Sequence, residues 1–438
     1  MSMTYGLPDA FVRRMGKQLG KELPAFLRAL DESAPRGIRL NGLKACAATE
    51  SYTAAEPIRW AENAYYLDPD SKAGSTVLHE AGAFYIQEPS AMLPAAVLDA
   101  QPGEKIIDLC AAPGGKSTQI GCAMRGTGLL VCNEPVFRRA QILSRNIERF
   151  GFPNTVVTCA FPEQLAQRWE EGFDAVLVDA PCSGEGMFRR DPATRKEWTE
   201  EKAEGCARRQ REILASAARL VRPGGRLVYS TCTYNPDENE GNAAWFLNAF
   251  PDFTAEAFSA PGISAPDGMY TCYPHQIKGE GQFTARFRKK GNGQAELPAD
   301  HTLLRPAPNE AEMTEPLFPS FPYATHKIGN TLIHMPELPE TKGIRILRAG
   351  LHLGEIKGKN IVPDHAAALC FRKPEAQSIQ MSACEAVKYI SGEALAGDMP
   401  GWTLMCFRDL VLGWGKGSDG MIKNHYPKGI RNPHMIPE

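Results

Sequence analysis

Between Glu104 and Phe250 the chain alternates short apolar runs with longer stretches of helical periodicity. The runs KIIDLCAAP, GLLVCNE, NTVVTCA, FDAVLVDAP and GGRLVYSTC read as buried strands. The stretches VFRRAQILSRNIERFG, PEQLAQRWEEG and EEKAEGCARRQREILASAARLV place apolar residues at helical spacing, and a further helix is predicted to begin near Lys116. Such alternation predicts an α/β domain, a Rossmann-like parallel sheet with helices on both faces. Ligands of these sheets bind outside the carboxyl ends of the strands. Glu134, Asp179, Cys182 and Cys232 stand at or just past those ends.

The flanks divide the chain further. Residues 1–75, with APRGIRLNGLK, read as a mixed N-terminal domain that contacts RNA. Residues 76–290 form the expected catalytic domain, entered through EPSAMLPAAVL, a covering helix, and closed by a terminal strand in IKGEGQFTARFRKKGNGQ. Residues 291–375 hold a linker and a first C-terminal domain, and residues 376–438 a last module carrying GWGKGSDGMIKNHYPKGIRN.

Composition narrows the classes. The 438 residues carry 49 basic and 51 acidic side chains, a net charge of −2, so no global field announces a nucleic-acid partner. No apolar run approaches the ~20 residues of a membrane span. Twelve cysteines without a secretion signal point to reduced thiols and a cytoplasmic location. Without a CxxC pair, and with scattered histidines, no metal site is expected.

DLCAAPGGKS follows a predicted strand and opens a helix. Its glycines let backbone amides approach a ligand, yet it matches neither the dinucleotide nor the triphosphate fingerprint. Glu134 ends the next strand, where a carboxylate can accept ribose hydroxyls. A phosphate-free nucleoside cofactor fits this set, with S-adenosylmethionine the leading candidate. Most of the cysteines, Cys46, Cys122, Cys206, Cys370, Cys384 and Cys406 among them, read as small core residues or carry no assigned role. Cys182 and Cys232 differ because both lie on the ligand-binding rim. Carbon 5 of cytosine is a poor nucleophile, and a thiolate added at carbon 6 makes it able to attack a methyl donor.

The stretches FYIQEPSAMLPAAVL, DLCAAPGGKSTQI, DAPCSGEGMFRRDP, RQREILASAARLVRPGGRLVYSTCTYNPDENE and PHQIKGEGQF resemble, in order, the Sun-type (NOL/NOP/Sun) RNA cytosine-carbon-5 methyltransferases. The likeness is greatest to the bacterial small-subunit ribosomal RNA branch, whose PUA-like C-terminal domain the last module resembles. The resemblance implies an S-adenosylmethionine-dependent enzyme with Cys232 as the nucleophile and Cys182 assisting product release. It implies Asp179 at the target base and near the methyl donor. Cys110, Ala111, Ala112, Pro113, Gly114, Gly115 and Lys116 would hold the methionine part of the cofactor, Glu134 its ribose, and Arg139 would lie close by.

Two positions depart from the family. Ala160 and Phe161 stand where a polar residue usually meets adenine, and Thr271 and Cys272 where an arginine is often found. RGIRLNGLK, MFRRD and FRKK supply candidate phosphate contacts, and Trp414, Lys416, Lys423, His425, Tyr426, Lys428 and Arg431 a candidate RNA surface. The expected partner is RNA, most of all small-subunit (16S) ribosomal RNA, bound by a monomer away from membranes. Transfer RNA as substrate, a non-catalytic ribosome-assembly factor, and a methyltransferase acting on nitrogen or oxygen are the competing readings.

Overall fold

A computed structural model describes residues 6–44, 49–300, 304–319, 323–335 and 338–436; Cys46 lies outside these. Near the amino end, Arg36–Leu40 (β1) pairs antiparallel with both Ala64–Leu67 (β2) and Phe84–Gln87 (β3). This sheet reaches beyond residue 75, the limit expected for the first domain. The sequence signal for β3 merges with the helical run after it, which obscured the boundary.

The central sheet follows the predicted runs. Lys105–Asp108 (β4), Leu129–Asn133 (β5), Thr155–Cys159 (β6), Phe173–Asp179 (β7) and Val221–Thr231 (β8) are all parallel, in the order β6-β5-β4-β7-β8. Successive side chains of a strand point to opposite faces. Ile107, Val131, Val156, Val176 and Leu227 accordingly pack into one core with Trp169 and Leu214. Ile106, Leu130, Val157, Leu177 and Val228 pack into the other with Leu143, Ile147 and Phe150. Burial on both faces explains why these strands are near-continuous apolar runs rather than alternating ones. Chain order reverses between β4 and β7, and the crevice at such a switch point is where ligands sit.

Both edges depart from a purely parallel sheet. Gln282–Lys289 lies antiparallel beside β8, and Met269–Cys272 pairs beyond it. On the far side Arg345–Ala349, from the segment read as a separate C-terminal domain, pairs antiparallel with β6. These additions cover strand edges that would otherwise expose unpaired amides.

The two ends of the chain share a core. Ile38, Val77 and Phe84 pack with Tyr389, Met405, Phe407 and Ile422 of the last module. The Val77 amide donates to the Ile436 carbonyl at 3.1 Å, and the Ile436 amide to Ser75 at 2.9 Å. Among the described residues, no helix is long and apolar enough to cross a membrane.

Candidate active site

β7 and β8 run side by side with Asp179 opposite Ser230. Three residues past the first and two past the second, Cys182 and Cys232 therefore emerge together, their sulfurs 3.0 Å apart. The Cys232 amide donates to the Cys182 sulfur at 3.2 Å. The loop after Cys182 is pinned to β8: Gly186 donates to the Cys232 carbonyl at 2.9 Å, and Ser183 Oγ meets Thr233 Oγ1 at 2.8 Å. The hydrogen bond to Cys232, then burial, push the Cys182 thiol well above its ordinary pKa.

Asp179 receives three side-chain donors. Lys116 Nζ lies 2.6 Å from Oδ2; Ser230 Oγ donates to Oδ1 at 2.7 Å and Gln282 Nε2 at 3.3 Å. Burial works against the Lys116 ammonium, but the charge and hydrogen bond of Asp179 outweigh it and hold its pKa above the ordinary value. Ser230 and Gln282 escaped sequence reasoning. Gln282 sits within PHQIKGEGQF, but its reach to Asp179 follows from an antiparallel pairing that no local pattern encodes.

On the other side of the crevice, Gly114 adopts φ +117 and Gly115 opens the helix Gly115–Ala123. A side chain at Gly114 would be strained and would meet Leu143 at 3.3 Å. Ser117 Oγ donates to Asp108 Oδ2 at 2.7 Å, while the second oxygen of Asp108 is buried without a hydrogen-bond partner. Burial, only partly opposed by Ser117, raises the Asp108 carboxyl to about 7.

Glu134 is also enclosed. Its Oε1 accepts the Val136 amide at 2.9 Å, and Arg139 lies 3.2 Å from Oε2. Arg139 also donates to the Ala112 carbonyl at 3.1 Å, joining the two loops. An unpartnered buried carboxyl oxygen, a glycine turn at a helix start and an acid one strand away fit the charged methionine end and ribose of S-adenosylmethionine. At the departing positions, Ala160 is buried, its amide and carbonyl both bonded to the Asn133 side chain. Phe161 is 67% exposed. Cys272 is buried opposite Gln282, and Thr271 Oγ1 donates to Glu240 at 3.4 Å.

The cations read from sequence as phosphate contacts are largely engaged in holding the fold. Arg39 is buried and donates to Gly115 O and Thr118 Oγ1. Lys44 Nζ donates to the Ala81 and Arg149 carbonyls. Arg189 pairs with Glu280, Arg286 and Arg288 with Glu256, and Lys289 with Glu171. Trp414 and Tyr426 are core residues, Trp414 donating its ring nitrogen to Asp364 O. A basic run does not reveal which carboxylates the fold brings to it. Lys416, Lys423 and Lys428 stay exposed, near a Trp402–His425 ring pair with centroids 4.4 Å apart.

Four family models match in chain order: the N-terminal domain of 16S rRNA methyltransferase RsmF over residues 7–89, 16S rRNA methyltransferase RsmB/F over 95–288, the RsmF rRNA methyltransferase first C-terminal domain over 312–371, and the methyltransferase RsmF PUA domain over 376–432. Ribosomal RNA small subunit methyltransferase F of Salmonella schwarzengrund is 32% identical over 476 residues, covering 97% of this chain and 96% of its own. The chain belongs to the 16S rRNA methyltransferase RsmB/F family. It is an S-adenosylmethionine-dependent methyltransferase with an N-terminal domain and a C-terminal PUA domain, as the sequence resemblance implied. A solved methyltransferase homologue from Pyrococcus horikoshii superposes with a TM-score of 0.57 and 29% identity, covering 65% of this chain and 96% of that one. NSun6 from the same organism, at 0.57 and 21% over 66% of this chain and 100% of its own, shares the fold.

Proposed function

We propose that this family member methylates carbon 5 of a cytosine in small-subunit ribosomal RNA, in the cytoplasm, through a covalent bond to Cys232. The observation that carries the reading is the Cys182–Cys232 pair beside Asp179, at the carboxyl ends of β7 and β8 next to the switch point.

When bound, S-adenosylmethionine supplies an electrophilic methyl group to the ring. The residues of the chain do the rest. The Cys232 thiolate adds to carbon 6, and the ring's electron pair becomes available at carbon 5. Asp179, oriented by Lys116, Ser230 and Gln282, accepts a hydrogen bond from the amino group of the base, and the Lys116 ammonium beside it offsets the negative charge that develops on the ring. After methyl transfer the proton on carbon 5 must leave, and the Cys232–carbon 6 bond then breaks. Cys182 takes that proton. In the resting pair its own proton is held by Cys232 and by burial. Once Cys232 is bonded to carbon 6, Cys182 gives its own proton to solvent and as the thiolate takes the one on carbon 5; Cys232 then leaves as the thiolate, so one proton is released per methyl group transferred.

Cys110–Lys116 would hold the methionine part of the cofactor and Glu134 its ribose, and exposed Phe161 would offer its ring to adenine in place of the polar contact usual in the family. The test is transfer of tritiated methyl from S-adenosylmethionine to 16S ribosomal RNA or small subunits, followed by nucleoside analysis. The expected product is 5-methylcytidine at a discrete position; methyl on nitrogen or oxygen, or on transfer RNA alone, would overturn the reading.

A further inference from the structure

Cys182 borders a second space, distinct from the cofactor crevice. A cleft of about 470 Å³ opens on the side of Cys182 facing the start of the long helix Glu200–Leu220. Its floor is Cys182 and Gly184, and its wall is the helix face of Lys202, Gly205, Cys206 and Arg209. These four positions follow the i, i+3, i+4, i+7 spacing of one helix face.

Two features of that face call for a ligand. Lys202 and Arg209 are exposed, and neither forms an ion pair with a carboxylate among the described residues. This contrasts with Arg39, Lys44, Arg189, Arg286 and Arg288, whose charges are consumed inside the fold. Glu197 also reaches the cleft, at its rim. Seven residues at ~1.5 Å rise set the two free charges about 10 Å apart along the axis. The second feature is Gly205, in the interior of a helix, where glycine is less favourable than alanine. Close packing does not explain it, because a Cβ there would meet nothing within 4 Å. Gly184, on the floor, has a left-handed φ of +75 that favours glycine, and it also faces open space. Small residues on wall and floor leave room for a ligand to approach the backbone closely.

We propose that this cleft binds the sugar-phosphate backbone of the single-stranded RNA flanking the target cytidine, with Lys202 and Arg209 on its phosphates and Gly205 against its sugar. The assignment rests on the RNA-methyltransferase reading of the site and adds to it where the strand runs. It enters past Cys182, so that the flipped base reaches Cys232 and Asp179 while its neighbours stay on the long helix.

The test uses the full chain and a fluorescein-labelled unstructured RNA containing cytidine. Lys202→Glu/Arg209→Glu is expected to weaken binding by ~10-fold or more at low salt and to flatten the log–log salt dependence by about 1.4, the release from two single-strand phosphates. Arg208→Glu, on the same helix but outside the cleft, is expected to stay near wild type. Gly205→Ala is expected to keep or raise the melting temperature while weakening RNA binding, a combination that a structural role alone would not give. Wild-type binding and salt slope in the double variant, or an equal loss in Arg208→Glu, would overturn the cleft. If wild type binds RNA and the double variant does not, yet wild type transfers no methyl group, the catalytic reading falls and the cleft stands. If wild type methylates RNA and the double variant binds it normally, the cleft alone falls.

Discussion

The Cys182 and Cys232 sulfurs lie 3.0 Å apart across a sequence separation of 50 residues. Two thiols so close can divide the work of attack and release. Cys232→Ala is expected to abolish methyl transfer, a loss on the order of 10⁴-fold or more, and to trap no RNA. Cys182→Ala is expected to form the carbon 6 bond without releasing it, so protein from cells should carry RNA through denaturing electrophoresis. An adduct on Cys232→Ala instead would reverse the two roles.

Glu185, within the loop after Cys182, is buried and takes Arg14 at 2.6 Å, the Trp198 ring nitrogen at 2.9 Å and the Tyr234 amide at 3.1 Å. The N-terminal helix thereby fastens the catalytic loop. Glu185→Ala leaves three donors unpaired and is expected to cost about 3 kcal/mol in urea unfolding. Methyl transfer should fall as well, because the Cys182 loop loses its anchor. Stability within ~0.5 kcal/mol of wild type would show that the network does not hold the loop.

Lys44 is fully buried, and burial lowers its ammonium from 10.5 to about 7. Above that value the folded chain gives up the proton while the unfolded chain keeps it. The unfolded state then binds more protons, so this group makes stability rise with pH from about 7 towards 10.5 and removes that gain as pH falls back through 7. The slope is bounded by about 1.4 kcal/mol per pH unit. The stability difference between wild type and Lys44→Met, read by urea unfolding, is expected to grow in wild type's favour by roughly 1 kcal/mol or more over that range. A difference independent of pH would exclude it.

Phe161 is mostly exposed and so contributes little to the core. Phe161→Ala is expected to leave the melting temperature unchanged and to weaken S-adenosylmethionine binding about fivefold, the equivalent of ~1 kcal/mol of stacking. Calorimetric titration decides this, and an unchanged Kd would place adenine elsewhere.

Much of this was legible before the structure. The five parallel strands were visible as apolar runs, since burial on both sheet faces leaves no alternation to read. Glu134, Asp179, Cys182 and Cys232 could be placed at strand ends because turns follow the strands directly. The free and the engaged cations could not be separated. Arg39 and Lys44 look as exposed in RGIRLNGLK as Lys202 does in EEKAEGC, yet the first two are buried and the third lines a cleft.

The sequence by itself determined the strand–helix order, the glycine turn and the two rim cysteines, because period, turn chemistry and motif spacing are properties of neighbouring residues. Tertiary structure alone decided that Gln282 and Ser230 share Asp179, that Arg345–Ala349 closes the edge of β6, and that Ile38 and Tyr389 lie in one core. Those contacts depend on which distant apolar faces and charges can be buried together, and that choice is made only when the whole chain packs.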